Sequence, residues 1–357
     1  MGFRLLFSLV AVFFSLPAWA QLNTGPYVLY HGDSVSVVSI NHSEVHKRVL
    51  HHKALENVEV KFDDHPDWNF SVPLMQSITI PPSVSKRADK MLFVSDIEGE
   101  FEALRSLWIA AEVIDKQYNW IFGDGKLVYC GDLFDRGKKV PELLWLLYLL
   151  EQKAVDKGGK VHIVLGNHDI MNLSGNFKYV DSSFHIAAEA MGYAYEDLFS
   201  KSTELGRWLR SKNLVEKLDD LLIVHAGISP QVNALKLSVQ EINELSRGYY
   251  DRSQETKGLQ DTLEVLFNSK TSPFWYRGYF KEPFVSEEEL NQTLQFYVVN
   301  SIVVGHAIVP ENISFRLGNR VLGVNVNHHK GQHEAALYEH GKWYKINDKK
   351  IKNLLCE

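Results

Sequence analysis

Five short segments carry the residue types that could do chemistry: Ser95-Asp96-Ile97-Glu98-Gly99, Gly131-Asp132-Leu133-Phe134-Asp135-Arg136-Gly137, Gly166-Asn167-His168-Asp169, His225-Ala226-Gly227 and Gly305-His306. The second organises the set. Asp132 follows an apolar run, residues 126–130, and so stands at the carboxyl end of a strand, where open α/β sheets place their sites. A carboxylate there can bridge two metal ions, and a second acid beside a fixed cation, Asp135 and Arg136, suits phosphoryl chemistry. A single loop of this kind could owe its acids to helix capping alone. Here each of five apolar runs ends in Asp, Glu, Asn or His near a glycine, and glycine lets the backbone turn sharply and approach a ligand closely.

The elements that must position these loops follow from periodicity. Residues 91–94, 126–130, 161–165, 221–224 and 301–304 read as buried strands. Between them, Phe101, Leu104, Leu107, Trp108 and Ala111 fall at helical spacing, and a Leu-rich helix is expected from Val140 to Lys153. Residues 182–212 are helical in character. Ser286 with Glu289 forms a capping box that opens a helix to about Val298. Strand-helix alternation predicts an α/β fold, a parallel or mixed sheet with helices outside. His162 reads as a core or sheet-face residue.

On either side the pattern changes. Residues 34–40 and 58–62 alternate as strands do, and Pro66, Pro73, Pro81 and Pro82 punctuate the region. Residues 21–88 are therefore expected to form a small β-rich segment, with 86–90 as a linker. His42, His46, His51 and His52 fall here at a spacing that matches no metal motif. Beyond the catalytic region, residues 89–327, turns at Gly318-Asn319 and His340-Gly341 mark a β-rich C-terminal extension, 328–357, packed on it.

The chain of 357 residues is 45% hydrophobic and 23% charged, as globular proteins are. A net charge of -6 with no Lys/Arg cluster argues against a nucleic-acid partner. Cys130 and Cys356 do not form a disulfide framework. Arg4, an apolar run over residues 5–16 and Pro17-Ala18-Trp19-Ala20 predict a signal peptide over residues 1–20, cleaved near Ala20. The run is too short for a membrane span and no later stretch spans. The expected mature protein is exported, periplasmic or secreted.

The motif series resembles that of the calcineurin-like metallophosphoesterases, in the phosphoprotein-phosphatase branch, over roughly residues 91–326. Gly25-Pro26-Tyr27 and Trp275-Tyr276-Arg277-Gly278 look more specifically like the Shewanella-like phosphatases, a group with a protein-tyrosine phosphatase among its members. The resemblance implies two mixed β-sheets sandwiched between helices and two divalent or trivalent metal ions (Mn, Zn, Fe, Mg or Ca) at the strand ends. It implies Asp96 and Glu98 as ligands of the first metal, Asp132 as the bridge, and Asn167, His225 and His306 as ligands of the second. Bridged cations can share a hydroxide and clamp a phosphate. His168 is then the general acid with Asp135 orienting it, and Arg136, Arg277 and Asn167 meet the phosphate.

The sequence departs from the family twice. The first motif has Glu98 where a His is usual, and Gly323-Val324-Asn325-Val326-Asn327 stands in place of an Asp-x-Gly stretch, bearing on the pocket wall. The implied activity is metal-dependent hydrolysis of a phosphoprotein, phosphopeptide or aryl phosphate, with phosphotyrosine preferred. Trp275, Tyr276 and Phe280 as aromatic walls suit aryl phosphates. The alternatives are a nucleotide or dinucleotide-polyphosphate hydrolase and a catalytically inactive phospho-ligand binding protein.

Overall fold

The computed structural model describes residues 22–259 and 261–356, so the expected signal peptide lies outside the described residues. Strands Thr24–His31 (β1), Ser34–Asn41 (β2) and Glu44–His51 (β3) form an antiparallel sheet, and Asn57–Val60 (β4) pairs with Phe70–Pro73 (β5). The short Val84–Ser85 (β6) leads into Lys90–Val94 (β7), Phe101–Ala110 (α1), Lys126–Cys130 (β8), Val140–Val155 (α2), Lys160–Val164 (β9) and Asn167–Leu173 (α3). Ser182–Met191 (α4) and Glu204–Ser211 (α5) precede the hairpin Val215–Leu218 (β10) and Leu221–Val224 (β11). Four helices follow: Pro230–Ala234 (α6), Val239–Arg247 (α7), Thr262–Phe267 (α8) and Glu287–Tyr297 (α9). The chain ends with Ser301–Val304 (β12), Ser314–Arg316 (β13), Val321–Gly323 (β14), Glu334–Glu339 (β15), Lys342–Asn347 (β16) and Lys352–Cys356 (β17).

Two six-stranded mixed sheets result, ordered β13-β14-β12-β11-β10-β6 and β17-β16-β15-β7-β8-β9. Strand alternation explains why they stack. Met91 and Phe93, Val128 and Cys130, Val164, Ile223, Val303 and Leu322 meet in a core between the sheets. Their neighbours Leu92, Val94, Leu127, Tyr129, Ile163, Val224 and Val304 face the main cluster with the helices. Strands buried on both faces read as continuous apolar runs, which is how they appear in the sequence. His162 on β9 bonds through Nδ1 to Glu216 on β10 at 2.6 Å, a buried pair that ties one sheet to the other. Cys130 is a buried free thiol of this core, its pKa pushed up by burial.

The parallel pairs matter most. β7, β8 and β9 run parallel in one sheet, and β11 and β12 in the other, so five carboxyl ends come to one edge of the molecule. The C-terminal strands differ from the expected layer packed outside. β15 pairs with β7, so residues 334–356 supply half of the second sheet. Their short alternating runs resemble an outer layer because alternation reports one polar face and does not name the pairing partner.

The N-terminal sheet packs on α2 and α5. Trp145 Nε1 donates to the Pro26 carbonyl at 2.7 Å, and Tyr30 and Tyr148 both donate to Glu204, each at 2.8 Å. Among the described residues no helix is long and apolar enough to cross a membrane.

Glu142, in the first turn of α2, is fully buried, and among the described residues neither carboxyl oxygen has a hydrogen-bond partner. Burial pushes its pKa up from 4.5 to about 8, against the pull of Lys139. A folded pKa above the unfolded one means stability that is full below pH 4.5 and falls as pH rises toward 8. Glu142→Gln should therefore gain stability over the wild type between pH 5 and pH 9, by on the order of a few kcal/mol. Thermal melts of both proteins at the two pH values check this, and a pH-independent difference contradicts it.

Candidate functional site

The edge where the strands end is held together by backbone, in conformations most residues avoid. Asp96, Glu98, Asp132, Asp135, Arg136 and His306 all have left-handed φ, between 47° and 79°. Each costs about 1–3 kcal/mol and persists only where the surroundings over-determine it. Hydrogen bonds from one loop to the next do so: Asp96 N–H donates to Gly131 O at 3.0 Å, Glu98 N–H to Asp132 O at 3.2 Å and Gly137 N–H to Glu98 O at 2.8 Å. Two glycines are required by close approach. A Cβ at Gly131 would collide with the His225 ring, and one at Gly166 with the Asp132 carboxylate.

These loops enclose a cavity of about 330 Å³ lined by Asp96, Glu98, Asp132, Asn167, His168 and His306, with Arg136 and Arg277 at its sides. Asp132 is central. Its Oδ1 accepts from the His168 N–H at 2.9 Å, and its Oδ2 lies 3.2 Å from His225 Nε2. The Nδ1 of His225 faces the Cys130 carbonyl at 2.7 Å; a carbonyl only accepts, so Nδ1 carries a proton. Nε2 then turns its lone pair on a carboxylate unless a proton or a cation lies between them. Asp132 is held well below the usual carboxylate range: burial opposes this, but the His225 and His168 charges prevail. His225 rises to about 9, burial being outweighed by Asp132.

His306 is the complement. Its backbone N–H donates to Asp96 Oδ2 at 2.9 Å, while Nε2 is buried with no partner among the described residues. Burial, then the neighbouring His225 charge, drive its pKa far down, so the ring is a neutral donor. Asp132, His225 and His306 offer ligand atoms within 4.8 Å of one another, and so do Glu98, Asp132 and His168. Asn167 Oδ1 is 3.1 Å from His225 Nε2. Asp96 lines the same cavity but belongs to neither trio, its Oδ2 being taken by Ser95 Oγ and the His306 N–H. An unpartnered imidazole nitrogen, an imidazole facing a carboxylate and clustered oxygen donors are what a divalent cation site requires.

His168 carries the acid-base arrangement. Nδ1 donates to Asp135 Oδ2 at 2.5 Å, and Asp135 in turn accepts from Asn172 Nδ2 at 2.8 Å. Burial lowers the pKa of His168, but Asp132 and Asp135 overcome it and raise it to about 9. Its Nε2 faces the acids, 3.6 Å from Glu98 and 3.9 Å from Asp132. Glu98 points inward and is ion-paired to Arg136. Arg277 comes from a loop after α8 that is pinned to the His225 loop by Ala226 N–H to Pro273 O at 2.8 Å.

Eight of the ten expected residues line this cavity, and the other two, His225 and Asp135, lie behind it against Asp132 and His168. The aromatic wall is different from expectation. Trp275 lines the cavity and Tyr179 joins it, whereas Tyr276 belongs to a neighbouring cavity and Phe280 packs against Gly323. Tyr276 instead packs edge-on against Tyr279, ring centroids 5.5 Å apart, and Phe280 lies beneath the Arg316 guanidinium. Asn325 and Asn327 do line the wall. Asp33, His51 and His52 also cluster within 4.8 Å at the exposed end of the N-terminal sheet, which their spacing along the chain does not reveal.

Asp169, His329 and Lys330 went unassigned by motif reading. His329 and Lys330 carry no motif at all, but Asp169 leaves a signal, an acid three residues after a glycine that precedes a helix. It is fully buried, and it accepts from the N–H groups of Asp132, Leu133, Phe134 and Gly166 at 2.7–3.3 Å.

Residues 90–310 match the family model described as calcineurin-like phosphoesterase. A crystal structure of a cold-active protein-tyrosine phosphatase from a psychrophilic Shewanella species superposes with a TM-score of 0.85 at 34% identity, over 93% of this chain and 99% of that one. Shewanella-like protein phosphatase 1 of Plasmodium berghei is 28% identical over 62% of each chain, so this chain spans less than two thirds of that relative. A symmetrical bis(5'-nucleosyl)-tetraphosphatase of Vibrio cholerae is 30% identical over 43% of this chain and 51% of its own.

Asp169→Asn should strand two of the four N–H groups against an amide NH2, at about 1–3 kcal/mol each. Denaturant unfolding of the variant should show that loss, with retained secondary structure. A variant as stable as the wild type would remove Asp169 as the clamp of the Asp132 loop.

Proposed function

Because this chain belongs to the calcineurin-like phosphoesterase family, we propose that it is an exported, metal-dependent phosphomonoesterase acting on phosphoprotein or phosphopeptide, with phosphotyrosine preferred. The observation that carries the reading is His168, held by Asp135 on one ring nitrogen and facing Glu98 and Asp132 with the other, in a cavity that Arg136 and Arg277 line. Two cations fit the donor set. Asp96, Glu98 and Asp132 would hold one, and Asp132, Asn167, His225 and His306 the other. Cations bound there would offset phosphate charge and lower the pKa of water.

The chain's own residues do the rest. Arg136 and Arg277, at the side of the cavity, bind the phosphate oxygens with Asn167, as charge-assisted donors do. His168 gives the proton on Nε2 to the leaving oxygen, and Asp135 keeps the ring in the orientation that presents it. Asn172 fixes Asp135, and Tyr195 donates to Asn172 at 3.1 Å, so the relay reaches the core. Trp275 and Tyr179 at the mouth suit an aromatic leaving group, in keeping with the name of the Shewanella relative.

Lys330 at the rim favours a second reading, a dinucleotide-polyphosphate hydrolase, since a further cation suits a further phosphate. Export rests on residues 1–20; N-terminal sequencing of protein recovered outside the cytoplasm should start at Gln21.

Wild-type protein should hydrolyse phosphotyrosine peptide faster than dinucleotide polyphosphate, and lose activity on chelation. His168→Asn should reduce turnover of tyrosyl phosphate roughly a hundredfold, and far less for an ester with a very acidic leaving group. Full activity in metal-free protein overturns the cation reading, and an equal loss with both leaving groups overturns the acid role.

A further inference from the structure

The two departures from the family's motif pattern, Glu98 and the residues 325–327 stretch, are more than two hundred positions apart, and the fold brings them to one wall of the cavity. Residues 324–333 carry the chain from β14 in the first sheet to β15 in the second, and Asn325, Val326, Asn327, His329 and Lys330 of this crossing line the cavity. In that crossing, His329 lies within the 3-10 turn His328–Lys330. Its Nε2 is 2.7 Å from Glu98 Oε2 and its Nδ1 is 2.8 Å from Glu100 Oε1.

We propose that His329 is a positioning residue for Glu98: the imidazole absent from the first motif is supplied from the C-terminal crossing, and it fixes Glu98 as a metal ligand without touching the metal. This rests on the reading of Glu98 as a ligand. A histidine at position 98 would present a ring nitrogen of defined direction. A glutamate has one more rotatable bond and two equivalent oxygens, and so needs a second hydrogen bond to fix which oxygen faces the cavity. His329 takes Oε2, while Oε1 lies with Asp132 and His168 on the cavity side and is paired there with the Arg136 guanidinium.

The crossing is rigid enough for this task. His328 N–H donates to Val326 O at 2.9 Å, Lys330 N–H to Asn327 O at 2.9 Å and Gly331 N–H to His328 O at 3.0 Å. His328 itself is buried beneath the turn, its ring stacked near His333. Glu100, bonded to the other ring nitrogen, holds the imidazole plane in line with Glu98. A ligand from the start of the catalytic region and an orienting group from just beyond its end are thus brought together, near where β15 pairs with β7.

The test is Mn²⁺ binding to the metal-free full chain, followed by calorimetry, with thermal melts of the metal-free proteins beside it. His329→Ala should weaken one of the two Mn²⁺ sites by about 10–100-fold, the effect typical of removing a partner that orients a ligand, and leave the other unchanged. His329→Gln, which keeps an N–H donor, should recover part of the loss. In a Glu98→Ala background, His329→Ala should cause no further loss. Unchanged Mn²⁺ affinity in His329→Ala overturns the proposal, and so does an equal loss with and without Glu98, which would mark a merely structural turn. Failure of the wild type to hydrolyse phosphoesters would overturn the functional reading while leaving this linkage in Mn²⁺ binding measurable.

Discussion

Three carboxylates, Asp96, Glu98 and Asp132, are buried at the edge where two sheets meet, and much of the structure exists to hold them there. Buried charges are tolerated only when paired or coordinated. The protein answers with imidazole and guanidinium: His225 against Asp132, Arg136 and His329 against Glu98, and the His306 backbone against Asp96. That compensation is incomplete, since among the described residues the buried His306 Nε2 has no partner. A bound cation would satisfy it.

The same constraint explains the backbone. Bringing three acids and two histidines to one small cavity takes sharp turns at the strand ends, hence six side-chain-bearing residues with left-handed φ. Strain of that kind is stable only on a stiff support. Cross-loop N–H···O bonds supply part of it, and Asp169 supplies more by gathering four N–H groups from the Asp132 loop and its own helix start. The sandwich core beneath, closed by the buried His162–Glu216 pair, keeps the two sets of strand ends in register.

Acid-base function and metal holding share this electrostatic field. The negative charge of Asp132 that draws cations also raises the His168 pKa, and Asp135 adds to it from the other ring nitrogen. His306 feels the opposite environment and stays neutral, since it is buried beside the positive His225 and Arg277. Two histidines of the same motif series are thereby driven in opposite directions, one toward holding a proton and one toward offering a lone pair.

Strand identity and the chemistry at each strand end were legible in the sequence. Strands buried on both faces leave uninterrupted apolar runs, and the sharp turns after them leave glycine beside Asp, Asn and His. Periodicity is a local signal, and it located β7, β8, β9, β11 and β12 closely. The tertiary structure decided what depends on distant pairing. It placed β15, β16 and β17 inside the second sheet, turned Tyr276 and Phe280 away from the cavity, and set Asp169 under four N–H groups. It also brought His329 to Glu98 across 231 positions. A contact of that span leaves no trace in spacing or composition, because it depends on how two sheets cross and on no property of either residue alone.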